Sequence, residues 1–212
     1  MAFFGKMIKT LADNVKWIAL SFGIFLLGAV VYVLFLEGNI EINQVIGEQF
    51  EAIEELGREI FEGTWLQGVL LLFLNNLRAS LFLMLSGVFA GIPTFLGIFI
   101  NGALLGFITT MITSEGLSAA PFLILGILPH GIFELPAFFI CTAFGFKLGY
   151  HLMIPISGLS RMKSLASVLK EFGVVLPLVV ALLVIAAFIE ILLTPYLLGF
   201  LSETYLMEVP DF

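Results

Sequence analysis

The chain has 212 residues, of which 60% are hydrophobic and only 12% are charged, and its mean hydropathy is +1.14. So little charge cannot cover the surface of a soluble domain of this size, which excludes an ordinary soluble enzyme or binding module. The net charge of −7 gives no sign of nucleic-acid binding, and none is expected, because the acidic residues are concentrated in one loop and the C-terminal tail. The single cysteine, Cys141, excludes an internal disulfide framework and a multi-cysteine metal site.

Five apolar stretches are long enough to cross a membrane, since a helix needs about 20 apolar residues to span a ~30 Å hydrocarbon core. They run over residues 17–36, 65–90, 94–112, 121–146 and 174–198. The first is too long for the apolar part of a signal peptide and lacks a small-residue cleavage site, so we expect a retained anchor. The sequence therefore predicts one all-α domain over residues 1–212, a polytopic transmembrane helical bundle in the lipid bilayer.

Basic residues predict the orientation of this bundle. Seven of the nine lie on one side of the membrane if the N-terminus is cytoplasmic: Lys6, Lys9, Lys16, Lys147, Arg161, Lys163 and Lys170. Basic residues are enriched in cytoplasmic loops, so five spans then place the C-terminus outside. We expect a multi-pass protein of the cell (cytoplasmic) membrane.

Two connecting segments have the periodicity of amphipathic helices. Over residues 40–62, outside the membrane, a glutamate-rich face opposes a face formed by Ile42, Val45, Ile46, Gln49, Ile53, Leu56 and Ile60. Over residues 157–172, on the cytoplasmic side, an apolar face opposes Arg161, Lys163 and Lys170, as in a helix lying on an anionic leaflet. Packing on the bundle is the simplest role for each helix, and either one is expected to recruit protein partners.

Glycines recur at four-residue spacing, at Gly87 with Gly91, Gly102 with Gly106, and Gly145 with Gly149. In lipid, such steps allow two helices to approach closely. They fit packing within one chain or a homodimer, and packing within one chain is the simpler expectation.

Eight polar residues interrupt the apolar spans, where an ionisable group is costly unless it faces the protein interior and has a partner. They are Asn75, Asn76 and Arg78 in the second span, Asn101 in the third, His130 and Glu134 in the fourth, and Glu190 and Thr194 in the fifth. At a rise of ~1.5 Å per residue, most of them lie roughly 12 to 21 Å from the outer boundary. We predict that they form one buried functional layer.

Charge accounting limits the chemistry of this layer. Arg78 keeps its charge and can neutralise only one of the two carboxylates of Glu134 and Glu190. The other carboxylate has to be protonated, pair with a protonated His130, or coordinate a cation.

The fourth span carries a proline-bracketed polar segment. His130 and Glu134 stand four residues apart, so they share one face of a helix. Pro129 and Pro136 lack backbone donors, and we expect them to kink or break the helix around that pair.

Three interpretations of the polar layer stay open: a network that only locks the bundle, a binding or transport cavity, and a catalytic site. The first is favoured. The sequence contains no HExxH, GxSxG or P-loop motif, so we predict no catalytic residue and no cofactor. No metal is expected, because one histidine and two glutamates are a weak ligand set for zinc. If a metal binds, its ligands are His130, Glu134 and Glu190.

Several of these residues stand in a recognisable pattern. It consists of the string Pro-His-Gly-Ile-Phe-Glu-Leu-Pro-Ala at 129–137, the Asn75-Asn76 pair, the Asn101-Gly102 step, and Ala-Ala-Phe-Ile-Glu at 186–190 followed by Thr194-Pro195. Over residues 65–198 the chain resembles the stage II sporulation protein M family. The resemblance implies a multi-span inner or cytoplasmic membrane protein. In spore-forming bacteria, the member that gives the family its name recruits peptidoglycan-degrading partners, and relatives also occur in organisms that form no spores.

From these observations we expect a membrane scaffold or organising protein that is not an enzyme. The alternative is a transporter or permease-like subunit for a small solute, ion or lipid. A third hypothesis is an intramembrane metal-dependent hydrolase.

Overall fold

The computed structural model describes residues 2–206, except for the side chains at 54, 56, 59–62 and 201–206. In this part of the chain all regular structure is helical, and no strand is present. The α-helices are α1 Ala2–Asp13, α2 Val15–Val31, α3 Ile40–Glu62, α4 Trp65–Ser86, α5 Ile92–Ser114, α6 Ala119–Phe122, α7 Leu128–Met153, α8 Arg161–Leu192 and α9 Thr194–Leu206. π-Helical turns at Tyr32–Leu36 and Leu123–Ile127 extend α2 and join α6 to α7.

Five helices are long and apolar enough to cross a membrane: Val15–Leu36, Trp65–Ser86, Ile92–Ser114, Ala119–Met153 and Arg161–Leu192. Their surfaces carry many exposed large apolar side chains, as contact with lipid requires. The predicted all-α polytopic bundle is therefore confirmed. Most span ends agree within four residues, but the fourth span ends later than predicted, at Met153, and the fifth begins earlier, at Arg161.

Local sequence signals fix the starts of several helices. Thr64 accepts a hydrogen bond from the backbone N–H of Gln67, and the Gln67 side chain accepts one from the N–H of Thr64, which forms a capping box before α4. Asn39 caps α3 by accepting from the N–H of Ile42 at 3.0 Å. Gly91, with φ of +74°, makes the tight turn between α4 and α5.

The expected separate cytoplasmic helix at 157–172 is corrected by the structure. Residues 161–172 are the first turns of α8, which Ser160 caps and which continues without interruption into the fifth span. The apolar side chains of this stretch are needed in the bundle: Val168 and Phe172 are buried in the core beside α7, and Leu165 packs against them. Leu159, Met162 and Leu169 of the same stretch stay exposed.

The fourth span is continuous rather than broken. The irregularity is the π-helical turn Leu123–Ile127, which ends just before Pro129, and α7 passes through Pro136 without interruption. Proline is tolerated in the first turn of a helix because the N–H groups there have no intrahelical acceptor. The extra residue in the π-helical turn therefore accommodates Pro129, and His130 and Glu134 lie on regular helix.

The glycine steps bring backbones together within the chain. Gly87 of α4 meets the backbone of Gly145 of α7, and Gly102 of α5 meets the carbonyl of Phe25 in α2. At both places a Cβ atom would overlap backbone atoms. Thr94 adds a hydrogen bond from its hydroxyl to the Leu83 carbonyl at 2.7 Å. The tight bundle that these glycines predicted is thus formed by packing inside one chain.

The outer helix α3 packs on the bundle through one part of the predicted apolar face. Ile46 is buried against Tyr32, Ala103 and Leu104, with Ile42 and Phe50 beside it, whereas Val45 and Ile53 are exposed. The side chains of Leu56 and Ile60 lie outside the described residues.

Candidate functional site

The antiparallel helices α7 and α8 bring three of the predicted polar residues together. His130 and Glu134 come from successive turns of α7, and Glu190 comes from the last turns of α8. His130 Nε2 lies 3.9 Å from Glu190 Oε2. One ligand atom from each of the three residues lies within 4.8 Å of the other two.

The three side chains are partly buried. The His130 side chain is 14% exposed and that of Glu190 is 33% exposed. Nδ1 of His130 is buried and has no hydrogen-bond partner. Two carboxylates and an imidazole in so small a volume can share protons or hold a cation.

The other predicted site residues do not join this group. Asn75 is exposed and donates to the neighbouring Asn76 side chain at 3.4 Å. Asn101 is exposed and donates to the Gly97 carbonyl of its own helix at 2.8 Å. Thr194 is buried and donates to the Ile189 carbonyl at 3.4 Å. Each of these hydrogen bonds joins residues no more than five positions apart in the chain.

Arg78 lies away from the two intramembrane glutamates. It is exposed on the outward side of α4, and it forms no ion pair and no hydrogen bond with another residue of the described chain. The expected pairing of Arg78 with Glu134 or Glu190 is therefore not formed. The predicted single layer divides into an inner group on α7 and α8 and an outward-facing group on α4 and α5.

We call the line of contact between α7 and α8 the α7–α8 seam. A second polar pair lies at the end of this seam opposite His130 and Glu190. Lys147 Nζ donates to Glu171 Oε2 at 2.5 Å and to Asn14 Oδ1 at 2.8 Å. The Asn14 side chain also donates to the Thr10 carbonyl. In the sequence, Lys147 served only as a marker of orientation. The opposite charges at matching positions of spans four and five were the signal that could have revealed the pair.

The distance between the two polar pairs along the α7–α8 seam is comparable to the thickness of a membrane. His130 and Lys147 are 17 residues apart on α7, and Glu171 and Glu190 are 19 apart on α8. At ~1.5 Å per residue the pairs are separated by about 26 to 29 Å, close to the ~30 Å thickness of a hydrocarbon core. Each pair is therefore suited to a position near one edge of the membrane.

Arg78 falls between these two levels. The helices α4 and α7 run in the same direction, and Gly87 contacts Gly145. Arg78 precedes Gly87 by nine residues, so it is level with residue 136 of α7. At ~1.5 Å per residue, this level is about 9 Å from that of His130 and about 16 Å from that of Lys147. The exposed guanidinium thus lies near the middle of the apolar zone.

Five apolar spans around a polar seam define a multi-pass α-helical membrane protein. Residues 21–195 match the family model described as Stage II sporulation protein M. The match covers most of the chain, so this protein belongs to the stage II sporulation protein M family. The resemblance drawn from the sequence motifs is confirmed.

A curated relative carries no assigned function. An uncharacterized protein of Methanocaldococcus jannaschii is 35% identical over 130 residues, which are 60% of this chain and 71% of the relative. No solved structure gives a significant match. The comparisons therefore establish the family.

Proposed function

We propose that this protein is a non-enzymatic membrane scaffold that binds a transmembrane segment of a partner protein along the outward face of α4. The observation that carries the proposal is Arg78. This permanently charged side chain is exposed in the apolar zone, and no described residue pairs with it.

The depth of Arg78 makes exposure to lipid costly. Counted along the helices, Arg78 lies about 16 Å from the level of Lys147 and about 9 Å from that of His130, between the two membrane edges. Arginines near helix ends can extend to the interface, but a residue in the middle of a span is too far from it. A protein partner supplies the missing polar contact.

Arg78 belongs to a continuous exposed stripe. Asn75, Arg78, Phe82 and Leu85 follow one another at helical spacing on α4, and Phe82 and Leu85 are 66% and 53% exposed. A stripe of apolar side chains around one charge and one amide suits a helix that packs alongside α4 and offers a polar group at the depth of Arg78.

The partner chemistry follows from charge and symmetry. Arg78 favours a carboxylate on the facing helix. A twofold axis along the membrane normal would place Arg78 of one copy at the depth of Arg78 of the other. Such an interface brings like charges together, so the stripe fits a different protein better than a second copy of this chain.

A cleft between α3 and α4 continues the stripe towards the outside. It has a volume of about 590 Å³, and its polar lining residues are Glu48, Gln49, Glu55 and Asn75. A partner helix with a carboxylate opposite Arg78 and a basic residue nearer its outer end would match both features. In this arrangement the acidic helix α3 contributes to partner binding, as its composition led us to expect.

The test is affinity purification from native membranes in mild detergent. Wild-type protein should retain a membrane protein whose span contains Asp or Glu, and Arg78→Leu should lose most of it. Leu27→Ala, at an exposed position of α2, is the matched control and should retain it. Equal recovery with Arg78→Leu, or recovery of a second copy of this chain alone, would overturn the proposal.

The α3–α4 cleft favours a second candidate, a solute-transporting subunit. Two glutamates and two amides around an open cleft suit a cationic or polar solute. In proteoliposomes, uptake of such a solute that falls with Glu48→Gln plus Glu55→Gln, and not with Arg78→Leu, would favour transport over scaffolding.

A further inference from the structure

We propose that His130, Glu134 and Glu190 bind one divalent transition-metal ion. The ion would be of the class that accepts both imidazole and carboxylate ligands, with Zn²⁺ as the representative. This site lies on the α7–α8 seam and is separate from the α4 stripe.

The ligand set is nearly assembled. Ligand atoms of the three residues already lie within 4.8 Å of one another, and Nε2 of His130 is 3.9 Å from Glu190 Oε2. Zinc bonds of about 2.0 to 2.2 Å in tetrahedral geometry separate ligand atoms by roughly 3.3 to 3.6 Å. Both glutamates lie on regular helix, so the movement that binding requires is rotation about their side-chain bonds.

Charge balance favours a dication at this place. Neither Glu134 nor Glu190 pairs with a lysine or arginine among the described residues, and Arg78 faces outward. Two carboxylates and a dication form a neutral group, which is far less costly in low dielectric than an unbalanced carboxylate. A bound dication thus supplies the positive charge that balances Glu134 and Glu190. Arg78 does not supply it, because it faces outward.

His130 carries an unsatisfied atom that fits the same explanation. Its Nδ1 is buried without a hydrogen-bond partner, and buried polar atoms are rarely left unpaired. Either ring nitrogen of a neutral imidazole can bind a metal. An ion bound through Nδ1 would give this atom the partner it lacks, and one bound through Nε2 would bridge the 3.9 Å gap to Glu190.

The chemistry of the ligands selects the metal class. Imidazole suits zinc, iron, copper and nickel, whereas magnesium and calcium prefer all-oxygen sites. Three protein ligands leave a fourth position for water or for a group of another molecule. A metal bound by both α7 and α8 fixes the end of the seam opposite the Lys147–Glu171 pair.

The experiment measures metal on the full-length protein in detergent. After incubation with Zn²⁺ and removal of free ion, elemental analysis should find about one zinc per chain in wild type. His130→Ala and Glu190→Gln should retain less than about a fifth of that amount. Glu171→Gln, a carboxylate of the same helix outside the cluster, is the control and should match wild type.

Co²⁺ provides a readout that does not depend on the folding of a variant. In wild type it should produce the visible absorption bands of a low-symmetry tetrahedral site, and Zn²⁺ should abolish them by displacement. Zn²⁺ should also raise the unfolding temperature of wild type but not that of Glu190→Gln. Zinc content that is absent from wild type, or equal in wild type and both cluster variants, would overturn the proposal.

Discussion

Lys147 of α7 donates a hydrogen bond to the Glu171 carboxylate of α8 at 2.5 Å, and the same ammonium group donates to the Asn14 side chain at the junction of α1 and α2. Three segments far apart in sequence therefore meet at one charge. The Lys147 side chain is 12% exposed, whereas that of Glu171 is 36% exposed. The pair joins the end of the α7–α8 seam to the N-terminal helices.

We predict that Lys147→Met lowers the free energy of unfolding by about 1 to 2 kcal/mol. This is below the ~3 to 5 kcal/mol for breaking a fully buried pair, because water reaches Glu171. Glu171→Gln should cost less, since the amide oxygen still accepts a hydrogen bond. A double-mutant cycle by unfolding in detergent measures the coupling, and additive effects of the two substitutions would contradict it.

Backbone contact at the glycines gives a second prediction. Gly102→Ala should destabilise the protein by about 1 to 3 kcal/mol, because its Cβ would overlap the Phe25 carbonyl. Gly23→Ala in the facing helix α2 is the matched control, since a Cβ there meets no atom within 4 Å. The control should leave stability unchanged or slightly higher. Equal losses for the two variants, measured by thermal unfolding, would refute the close approach of α2 and α5.

The packed stripe of α3 gives a third prediction. Ile46 is 3% exposed and Val45 is 53% exposed. Ile46→Ala should therefore cost about 2 to 4 kcal/mol, and Val45→Ala well under 1 kcal/mol. Proteolysis of the outer loop in intact membranes should increase only for Ile46→Ala. A larger effect of Val45→Ala would contradict the observed packing of α3 through Ile46.

The orientation of the chain remains a prediction from its basic residues. A fluorescent protein that folds only in the cytoplasm should fluoresce when fused before Met1 and should stay dark after Phe212. The reverse pattern, or fluorescence from both fusions, would contradict an N-terminus inside and a C-terminus outside.

Composition was sufficient to predict most of the fold. Long uncharged runs define the spans, and glycine steps predicted close helix contacts such as that of Gly87 with Gly145. It was harder to predict which side chains of α3 pack on the bundle, because Val45 and Ile46 both belong to apolar rows at helical spacing. The row that packs is the one that meets Tyr32, Ala103 and Leu104, which come from other parts of the chain.

The candidate site was predictable only in part, because packing between helices also decides which of its residues meet. Spacing alone put His130 and Glu134 on one face, and the register of α7 against α8 adds Glu190. Arg78 was expected to face inward because charges in lipid are costly. The small and apolar residues Ser80, Leu83 and Met84 take the inward side of α4, which turns Arg78 outward. Under the proposed scaffold function, Arg78 faces outward because its polar partner belongs to another molecule.

The most direct test of the scaffold is photo-crosslinking in native membranes. A photoreactive amino acid in place of Phe82, one turn from Arg78, should yield one discrete adduct with a different membrane protein, and Arg78→Leu should abolish it. The same group in place of Leu27 on α2 should yield no such adduct. Adducts with lipid alone at position 82, or an adduct that persists with Arg78→Leu, would contradict a partner bound at Arg78.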